Sequence, residues 1–253
     1  MSNEAKATVM VVMGTRPEAI KLAPVILELK KSEKLIPYVV STGQHREMLD
    51  QVNEVFGIVP DGELDVFQPG QTLNSILGKV ISRIDEVLAE VEPAAIVVQG
   101  DTTTVAGAAI AGFNRSVPVV HVEAGLRSGN LFDPFPEEAN RKLTGQVTSL
   151  HLAPTEQSKA NLVAEAMNPD TIAVTGNTVI DALLFAAGTE AKFTDPQLTE
   201  LAESGKRILL TTAHRRENLG ENMNSIGKAL AELAHAYPCL LYTSDAADDI
   251  ALV

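Results

Sequence analysis

The chain has 253 residues, of which 45% are hydrophobic and only 4% aromatic, with no tryptophan. A core this poor in aromatic residues has to be built from Val, Ile, Leu and Ala, as in buried parallel sheets. The formal net charge of −13 argues against a nucleic-acid groove or an anionic membrane surface, since both attract an excess of Lys and Arg.

The sequence also bears on cellular location. It contains one cysteine, Cys239, so a disulfide framework and a thiolate metal site are excluded. The N-terminus lacks the apolar region of a signal peptide, and no apolar run is long enough to cross a bilayer. We therefore predict a cytoplasmic protein that binds neither membranes nor nucleic acid.

Short β-branched segments alternate with helical periodicity from residue 9 onward. Segments that are apolar on both faces predict buried strands at residues 9–13, 38–41, 95–99, 117–122, 151–153 and 171–175. Apolar residues at three- and four-residue spacing predict a helix over 72–90, and residues 106–113 predict a Gly- and Ala-rich helix that packs closely. This alternation is typical of an α/β protein with a doubly wound parallel sheet, whose ligands bind at the carboxyl ends of the strands.

The pattern also predicts a domain division. Residues 1–187 are predicted to form a Rossmann-like domain, followed by a linker with a short helix at residues 188–205. Residues 206–238 are predicted to open a second domain, with a strand at 207–212 and a helix to about residue 237. One βα unit is too little to bury a core, so we expect the second domain to be incomplete. The pattern breaks after Pro238, and we expect residues 239–253 not to be native.

The loop after the first predicted strand is a candidate phosphate site. Thr15 is suited to cap a helix and Glu18 to complete a capping box. A helix N-terminus offers free N–H groups to a phosphate, and Arg16 and Lys21 add positive charge nearby. An ordinary capped helix with surface cations explains the loop equally well.

Three carboxylates further along the chain are candidate site residues. Asp101 comes directly after the strand at 95–99, where it is suited to act as a base, to bind a hydroxyl, or simply to cap the next helix. Glu123 ends the following strand and is therefore expected at the same edge of the sheet. Glu137 opens a helix, where it is either a third carboxylate over the cleft or a favourable charge at the helix N-terminus.

Cations return in the predicted second domain, where His214 and Arg215 follow its first strand. In an acidic protein this cluster favours a diphosphate, although a solvated loop is the plain alternative. His45 follows the second strand and is another candidate, whereas His121 is predicted to be a core residue. No spacing resembles a metal-binding motif, so we predict no metal.

Six segments in this order resemble one family, the non-hydrolysing UDP-N-acetylglucosamine 2-epimerases: GTRPEAIKLAPV, STGQHREMLDQV, GDTTT, HVEAGLRSGNLFDPFPEEANR, TGNTVIDALL and TAHRRENLGE. The resemblance implies two Rossmann-like domains of GT-B type, a homodimer when full length, and no NAD or other cofactor. It implies interconversion of UDP-N-acetylglucosamine (UDP-GlcNAc) and UDP-N-acetylmannosamine (UDP-ManNAc) by elimination of UDP to 2-acetamidoglucal and its re-addition. Such an enzyme supplies ManNAc units for cell-surface polysaccharide.

The resemblance also assigns residues. Arg16, Lys21, Asp101, Glu123, Glu137 and His214 match the active-site positions of the family. Gln44 and His45 match positions near a regulatory UDP-GlcNAc site, where Gly70 replaces an arginine that some members carry. A family segment resembling DSGGxQEE, which binds uridine and diphosphate, is absent from this chain.

Three alternatives stay open at this point. A hydrolysing epimerase would use the same elimination but release free ManNAc and UDP. A GT-B glycosyltransferase would require an acceptor and would not exchange the proton at C2. An inactive fragment would only bind sugar nucleotide.

Overall fold

The computed structural model describes residues 5–43, 46–189, 196–205, 208–212, 221–236 and 240–244. The chain divides into two compact units, Met1–Thr189 and Glu190–Val253. Among the described residues, no helix has the length and apolar character that a membrane crossing requires.

The first unit is built on a seven-stranded parallel sheet, so the predicted α/β sheet is confirmed. Its strands are β1 (Ala7–Met13), β2 (Leu35–Ser41), β3 (Gly62–Glu63), β4 (Ala95–Gln99), β5 (Val119–Val122), β6 (Leu150–Ala153) and β7 (Ile172–Val174). Their spatial order is β3-β2-β1-β4-β5-β6-β7, so the direction of winding reverses between β1 and β4. Doubly wound sheets bind ligands in the crevice at this switch point.

Each of these strands is followed by a helix, and all of these helices except the last connect consecutive strands of the sheet. They are α1 (Arg16–Lys31), α2 (Arg46–Phe56), α3 (Leu73–Val91), α4 (Thr103–Asn114), α5 (Glu137–Val147), α6 (Glu156–Ala164) and α7 (Thr178–Ala187). A short 3₁₀ turn, Pro169–Thr171, precedes β7. The helices predicted over 72–90 and 106–113 correspond to α3 and α4.

The central strand β1 shows why the sheet is buried on both faces. Successive side chains of a strand point to opposite faces. Val9, Val11 and Met13 lie in one apolar cluster with α1, while Met10 and Val12 lie in a second cluster with α3 and α4. The sheet therefore has a core on each side, which explains the nearly continuous apolar sequence of β1.

Helix α4 packs unusually close to its neighbours because it carries glycines at the contacts. A Cβ atom on Gly107 would lie 2.7 Å from a Val80 methyl group, and one on Gly112 would lie 2.7 Å from a methyl group of Ile96. The first contact is with α3 and the second with β4. The close approach expected from the small residues of this helix is present.

The strand β3 was not predicted. It has only two residues, Gly62 and Glu63, which pair with Val40 and Ser41 of β2. The Asp61 carboxylate accepts a hydrogen bond from the Val39 N–H at 2.7 Å just before it. A strand this short and polar leaves no apolar pattern for sequence reasoning to detect.

The second unit contains α8 (Pro196–Glu203), β8 (Ile208–Thr212), α9 (Glu221–Ala236) and β9 (Leu240–Ser244) in its described part. Strands β8 and β9 pair in parallel over five residues. These helices and β8 lie within the ranges predicted for a short helix, a strand and a long helix, and the predicted division into a linker and a second domain stays a prediction. Strand β9 differs from the prediction, since it lies in the segment whose pattern was interpreted as broken. The run LLYTS has the β-branched and aromatic residues that favour a strand.

Candidate active site

The loops that follow β1 and β4 meet at the switch point of the sheet. Gly14 directly follows β1 and lies so close to its neighbours that a Cβ atom there would be 2.5 Å from the Thr42 hydroxyl and 2.7 Å from the Thr104 hydroxyl. Those two hydroxyls lie 3.3 Å apart. A side chain at residue 14 would have to displace both hydroxyls, so this close contact favours glycine.

Glu18 links the same two loops through one buried carboxylate. Its Oε2 accepts the Thr15 N–H at 3.1 Å as part of the predicted capping box, and its Oε1 accepts the Thr102 hydroxyl at 2.6 Å. Burial raises the pKa of Glu18, and hydrogen bonds from Thr102 and the loop N–H groups offset part of that effect. The carboxylate therefore joins the start of α1 to the N-cap of α4, one residue after Asp101.

Glu123 lies at the centre of the site and is held by three elements. Lys21 of α1 forms an ion pair with Oε2 at 2.6 Å, and Gln99 of β4 donates to the same oxygen. Asn177, just before α7, donates to Oε1 at 3.3 Å. The Glu123 side chain is 10% exposed, and its φ of +63° is rare for a non-glycine residue. Such an outlier persists only where the surrounding contacts over-determine it.

Gly125 holds the end of this strand against α6. It has a φ of +89°, and a Cβ atom would lie 2.2 Å from the Ser158 carbonyl oxygen. Asn161 donates to the Gly125 carbonyl oxygen at 2.9 Å. The turn that carries Glu123 is therefore clamped by helix backbone, which cannot yield as a flexible side chain would.

We expect Gly125→Ala to destabilise the protein by about 3 kcal/mol, because it combines positive-φ strain with a backbone clash. Gly129→Ala is the matched control, since Gly129 has a φ of +82° but nothing within 4 Å of the added atom. It should cost only about 1 kcal/mol. Urea unfolding of both variants checks this, and equal losses would contradict the clamp.

Asp101 occupies the neighbouring position and does not cap α4. Thr102 is the N-cap of that helix, and the Asp101 carboxylate instead forms an ion pair with Arg141 of α5 at 2.5 Å. Asn140 donates to the Asp101 carbonyl oxygen at 2.9 Å. Two successive residues of α5 therefore fix both the backbone and the side chain of Asp101.

Arg141 is itself anchored by Glu138, at 2.9 Å. The Glu138 side chain is fully buried and also accepts the N–H groups of Ser128 and Gly129, at 3.1 and 3.3 Å. Burial alone would raise the pKa of Glu138, but these donors outweigh it and hold the pKa below its ordinary value. A charged Glu138 thus ties the loop after β5 to α5.

The remaining predicted residues are placed as follows. Arg16 is the exposed first residue of α1, and Glu137 is the half-buried first residue of α5. Within the described part of the chain, Glu137 Oε2 is buried without a hydrogen-bond partner. Four predicted site residues lie outside the described residues: Gln44, His45, His214 and Arg215. No group of three or more metal-binding side chains is found among the described residues.

His121 lies behind the site and is buried, as predicted. Its Nε2 is 2.7 Å from the carbonyl oxygen of Gly100, in the loop that carries Asp101. Burial lowers the pKa of His121 to about 4, and the hydrogen bond to Gly100 offsets this only in part. The ring is therefore neutral near pH 7 and donates its Nε2 proton to that carbonyl.

A second ionic cluster holds Arg127, which lies in the loop between β5 and α5. Arg127 forms two hydrogen bonds to Glu165, at 2.9 and 2.6 Å, and Lys142 approaches the same carboxylate at 2.7 Å. The hydrogen bonds from Arg127 lower the pKa of Glu165 most, and Lys142 lowers it further. Together they outweigh the opposing effect of burial and hold this pKa at about 2. The Arg127 side chain is only 9% exposed, so Glu165 is the counter-ion that offsets the burial of its charge.

We expect Glu165→Gln to destabilise the protein by about 3 kcal/mol at pH 7, because it leaves Arg127 buried and unpaired. A carboxyl whose pKa falls on folding contributes stability above its unfolded pKa and loses it as the pH falls. This contribution should disappear between about pH 5 and pH 2 and be missing from the variant. Urea unfolding at several pH values measures it. Glu28→Gln, in an exposed pair, is the control and should change stability by less than about 0.5 kcal/mol.

Comparison with known proteins identifies the family of this chain. A family model described as UDP-N-acetylglucosamine 2-epimerase matches residues 27–251. The chain belongs to the UDP-N-acetylglucosamine 2-epimerase family. It is 47% identical over 234 residues to the UDP-N-acetylglucosamine 2-epimerase of Neisseria meningitidis, covering 91% of this chain and 63% of the relative. It is 47% identical over 228 residues to that of Bacillus subtilis, covering 90% of this chain and 59% of the relative.

Solved structures give the same family. The crystal structure of the Neisseria meningitidis UDP-GlcNAc 2-epimerase bound to UDP-GlcNAc matches with a TM-score of 0.81 and 45% identity, over 94% of this chain and 66% of that one. A lipopolysaccharide outer core galactosyltransferase matches with a TM-score of 0.53 at 11% identity, over 96% of this chain and 69% of that one, which concerns the fold alone. The chain thus spans about 60% of the length of the curated epimerases that it matches.

Sequence reasoning missed four residues that build this epimerase-family site: Gln99, Glu138, Arg141 and Asn177. Gln99, Arg141 and Asn177 contact a predicted residue across the fold, and Asn177 lies 54 positions from Glu123. Glu138 acts through Arg141. Arg141 had one detectable signal, since it lies four residues after Glu137 and hence on the same face of a helix.

Proposed function

We propose that this protein is a UDP-GlcNAc 2-epimerase of the non-hydrolysing type, which interconverts UDP-GlcNAc and UDP-ManNAc. The observation that carries the proposal is a pair of carboxylates near the switch point of the sheet, each in an ion pair. Asp101 and Glu123, from neighbouring strand ends, are each held by a cation from a different helix. Family membership and the likeness to a structure bound to UDP-GlcNAc support the substrate.

The chemistry explains why carboxylates and cations are both needed. The proton at C2 is not next to a carbonyl group, so direct deprotonation is unfavourable. In the proposed route the C1–O and C2–H bonds break, giving UDP and 2-acetamidoglucal, and UDP then adds back with a proton delivered to the other face. A positioned acid or base contributes about 10²–10⁴-fold to such a step.

We assign proton transfer to Asp101, Glu123 and Glu137, without ranking them. Arg16, His214 and Arg215 are assigned to the departing diphosphate, whose charge they would stabilise. Lys21 is assigned either to the diphosphate or to the orientation of a carboxylate. Its 2.6 Å contact with Glu123 favours the second role.

The setting of the enzyme is proposed from the family resemblance. We propose a homodimer that acts in the cytoplasm without cofactor and supplies ManNAc units to polysaccharide synthesis. The oligomeric state is measured by analytical ultracentrifugation of the purified protein.

Incubation with UDP-GlcNAc followed by ¹H and ³¹P NMR tests the proposed reaction. We expect UDP-ManNAc to accumulate to a constant ratio with UDP-GlcNAc. Free ManNAc with UDP would instead indicate the hydrolysing reaction. The assay uses two forms, the chain itself and a chimera that continues it after Ala236 with the corresponding remainder of the Neisseria meningitidis relative. If neither form converts UDP-GlcNAc, the proposed function is wrong.

A further inference from the structure

Asn177 makes two contacts that point in different directions. It follows β7 and is the N-cap residue of α7, where its Oδ1 accepts the N–H of Val179 at 3.1 Å. Its Nδ2 donates to Oε1 of Glu123 at 3.3 Å. Because the Val179 N–H needs an acceptor, the amide is oriented with its NH₂ group toward Glu123. Asparagine provides both functions in one planar group.

The two oxygens of Glu123 are held differently. Oε2 accepts from Lys21 and from Gln99, and both donors lie on the side of β1 and β4. For Oε1, the hydrogen bond found within the described residues comes from Asn177, at the start of α7, which packs against α1. Two donors on one oxygen fix its position but leave the carboxylate able to rotate about it. A donor on the other oxygen sets that rotation.

We propose that Asn177 is a positioning residue, which sets the orientation of the Glu123 carboxylate and couples it to the start of α7. The proposal rests on the proposed role of Glu123 in proton transfer. Misplacement of a reacting group by about 1 Å can cost on the order of 10²-fold in rate. Loss of the Nδ2 donor should therefore lower kcat and leave KM nearly unchanged.

Three substitutions separate this role from helix capping. Asn177→Asp and Asn177→Ser both keep a good N-cap, whereas Asn177→Ala removes it. Asn177→Asp also places a negative charge beside Glu123. We expect kcat to fall about 100-fold in Asn177→Asp and about 10-fold in Asn177→Ser, with KM changed less than about threefold. Between the two uncharged variants, Asn177→Ala should lower the melting temperature more than Asn177→Ser, because only Asn177→Ala loses the cap.

The opposite ranking would overturn the proposal. If Asn177 served only as a cap, Asn177→Asp and Asn177→Ser would keep full kcat, and Asn177→Ala would lose both stability and activity. Kinetics are measured with UDP-GlcNAc as substrate, on the chain or on the chimera described above, whichever converts it.

A second measurement does not depend on turnover. In ¹⁵N NMR spectra of the full chain, the side-chain NH₂ resonances of Asn177 should shift on Glu123→Ala and stay in place on Glu86→Ala, an exposed glutamate of α3. Unmoved resonances in Glu123→Ala would overturn the proposal. A protein without epimerase activity contradicts the proposed function, and the NMR result then decides the positioning of Glu123 by itself.

Discussion

Replacement of Glu123 by glutamine should lower kcat for UDP-GlcNAc epimerisation by about 10³-fold, the middle of the range for a lost acid or base. The amide keeps the size of the side chain and its contacts with Gln99 and Asn177 in altered form. It cannot exchange a proton with the sugar, and it removes the ion pair with Lys21. KM should change by less than about threefold if the carboxylate acts mainly in the transition state. Steady-state kinetics with an NMR or coupled product assay measures both constants.

The control for this variant is Glu86→Gln. Glu86 belongs to an exposed pair with Arg83 on α3, so its loss should leave both kcat and KM unchanged. Circular dichroism and the melting temperature establish that Glu123→Gln is folded. A folded Glu123→Gln protein with at least a tenth of the original kcat would remove Glu123 from the proton-transfer groups.

Arg141→Met should have the largest combined effect on stability and activity. It strips the buried Glu138 carboxylate of its cation, and an unpaired buried charge costs about 3–5 kcal/mol. The two backbone donors of Glu138 remain, so we expect a loss near the lower end, about 3 kcal/mol. It also frees the Asp101 side chain, and kcat should fall about 10²-fold through misplacement of that group. Urea unfolding and steady-state kinetics measure the two losses separately.

A double variant separates the two effects of Arg141. Arg141→Met with Glu138→Gln removes the stranded charge and should recover about half of the lost stability. It should not recover kcat, because Asp101 still lacks its partner. Arg83→Met, in an exposed pair, is the surface control and should cost less than about 0.5 kcal/mol. Recovery of kcat in the double variant would show that Asp101 does not depend on Arg141.

The parallel sheet could be predicted because its strands are buried on both faces. The uninterrupted apolar runs of β1 and β4 leave few alternatives, and the stripe of α3 has a clear helical period. Strands β3 and β9 could not be found in this way. The first has only two residues, neither of them apolar, and the second begins at Leu240 in a segment whose surroundings carry no periodic pattern.

The candidate site was predictable only in part, for a similar reason. Asp101 and Glu123 follow strands directly, and the carboxyl ends of neighbouring parallel strands meet at one edge. Their partners Arg141 and Asn177 come from distant segments, and the register that brings them together depends on the whole fold. The alternative of Asp101 as a helix cap was also plausible from sequence, but Thr102 takes that position because its hydroxyl reaches the Val105 N–H.

Exchange of the C2 hydrogen with solvent tests the central claim most directly. In D₂O, with UDP-GlcNAc as substrate, elimination and re-addition require that deuterium enters C2 of both UDP-GlcNAc and UDP-ManNAc, and NMR detects this as loss of the C2 proton signal. The same label should be nearly absent in Glu123→Gln. Formation of UDP-ManNAc that keeps its original C2 proton in D₂O would contradict proton transfer by the carboxylates at the switch point.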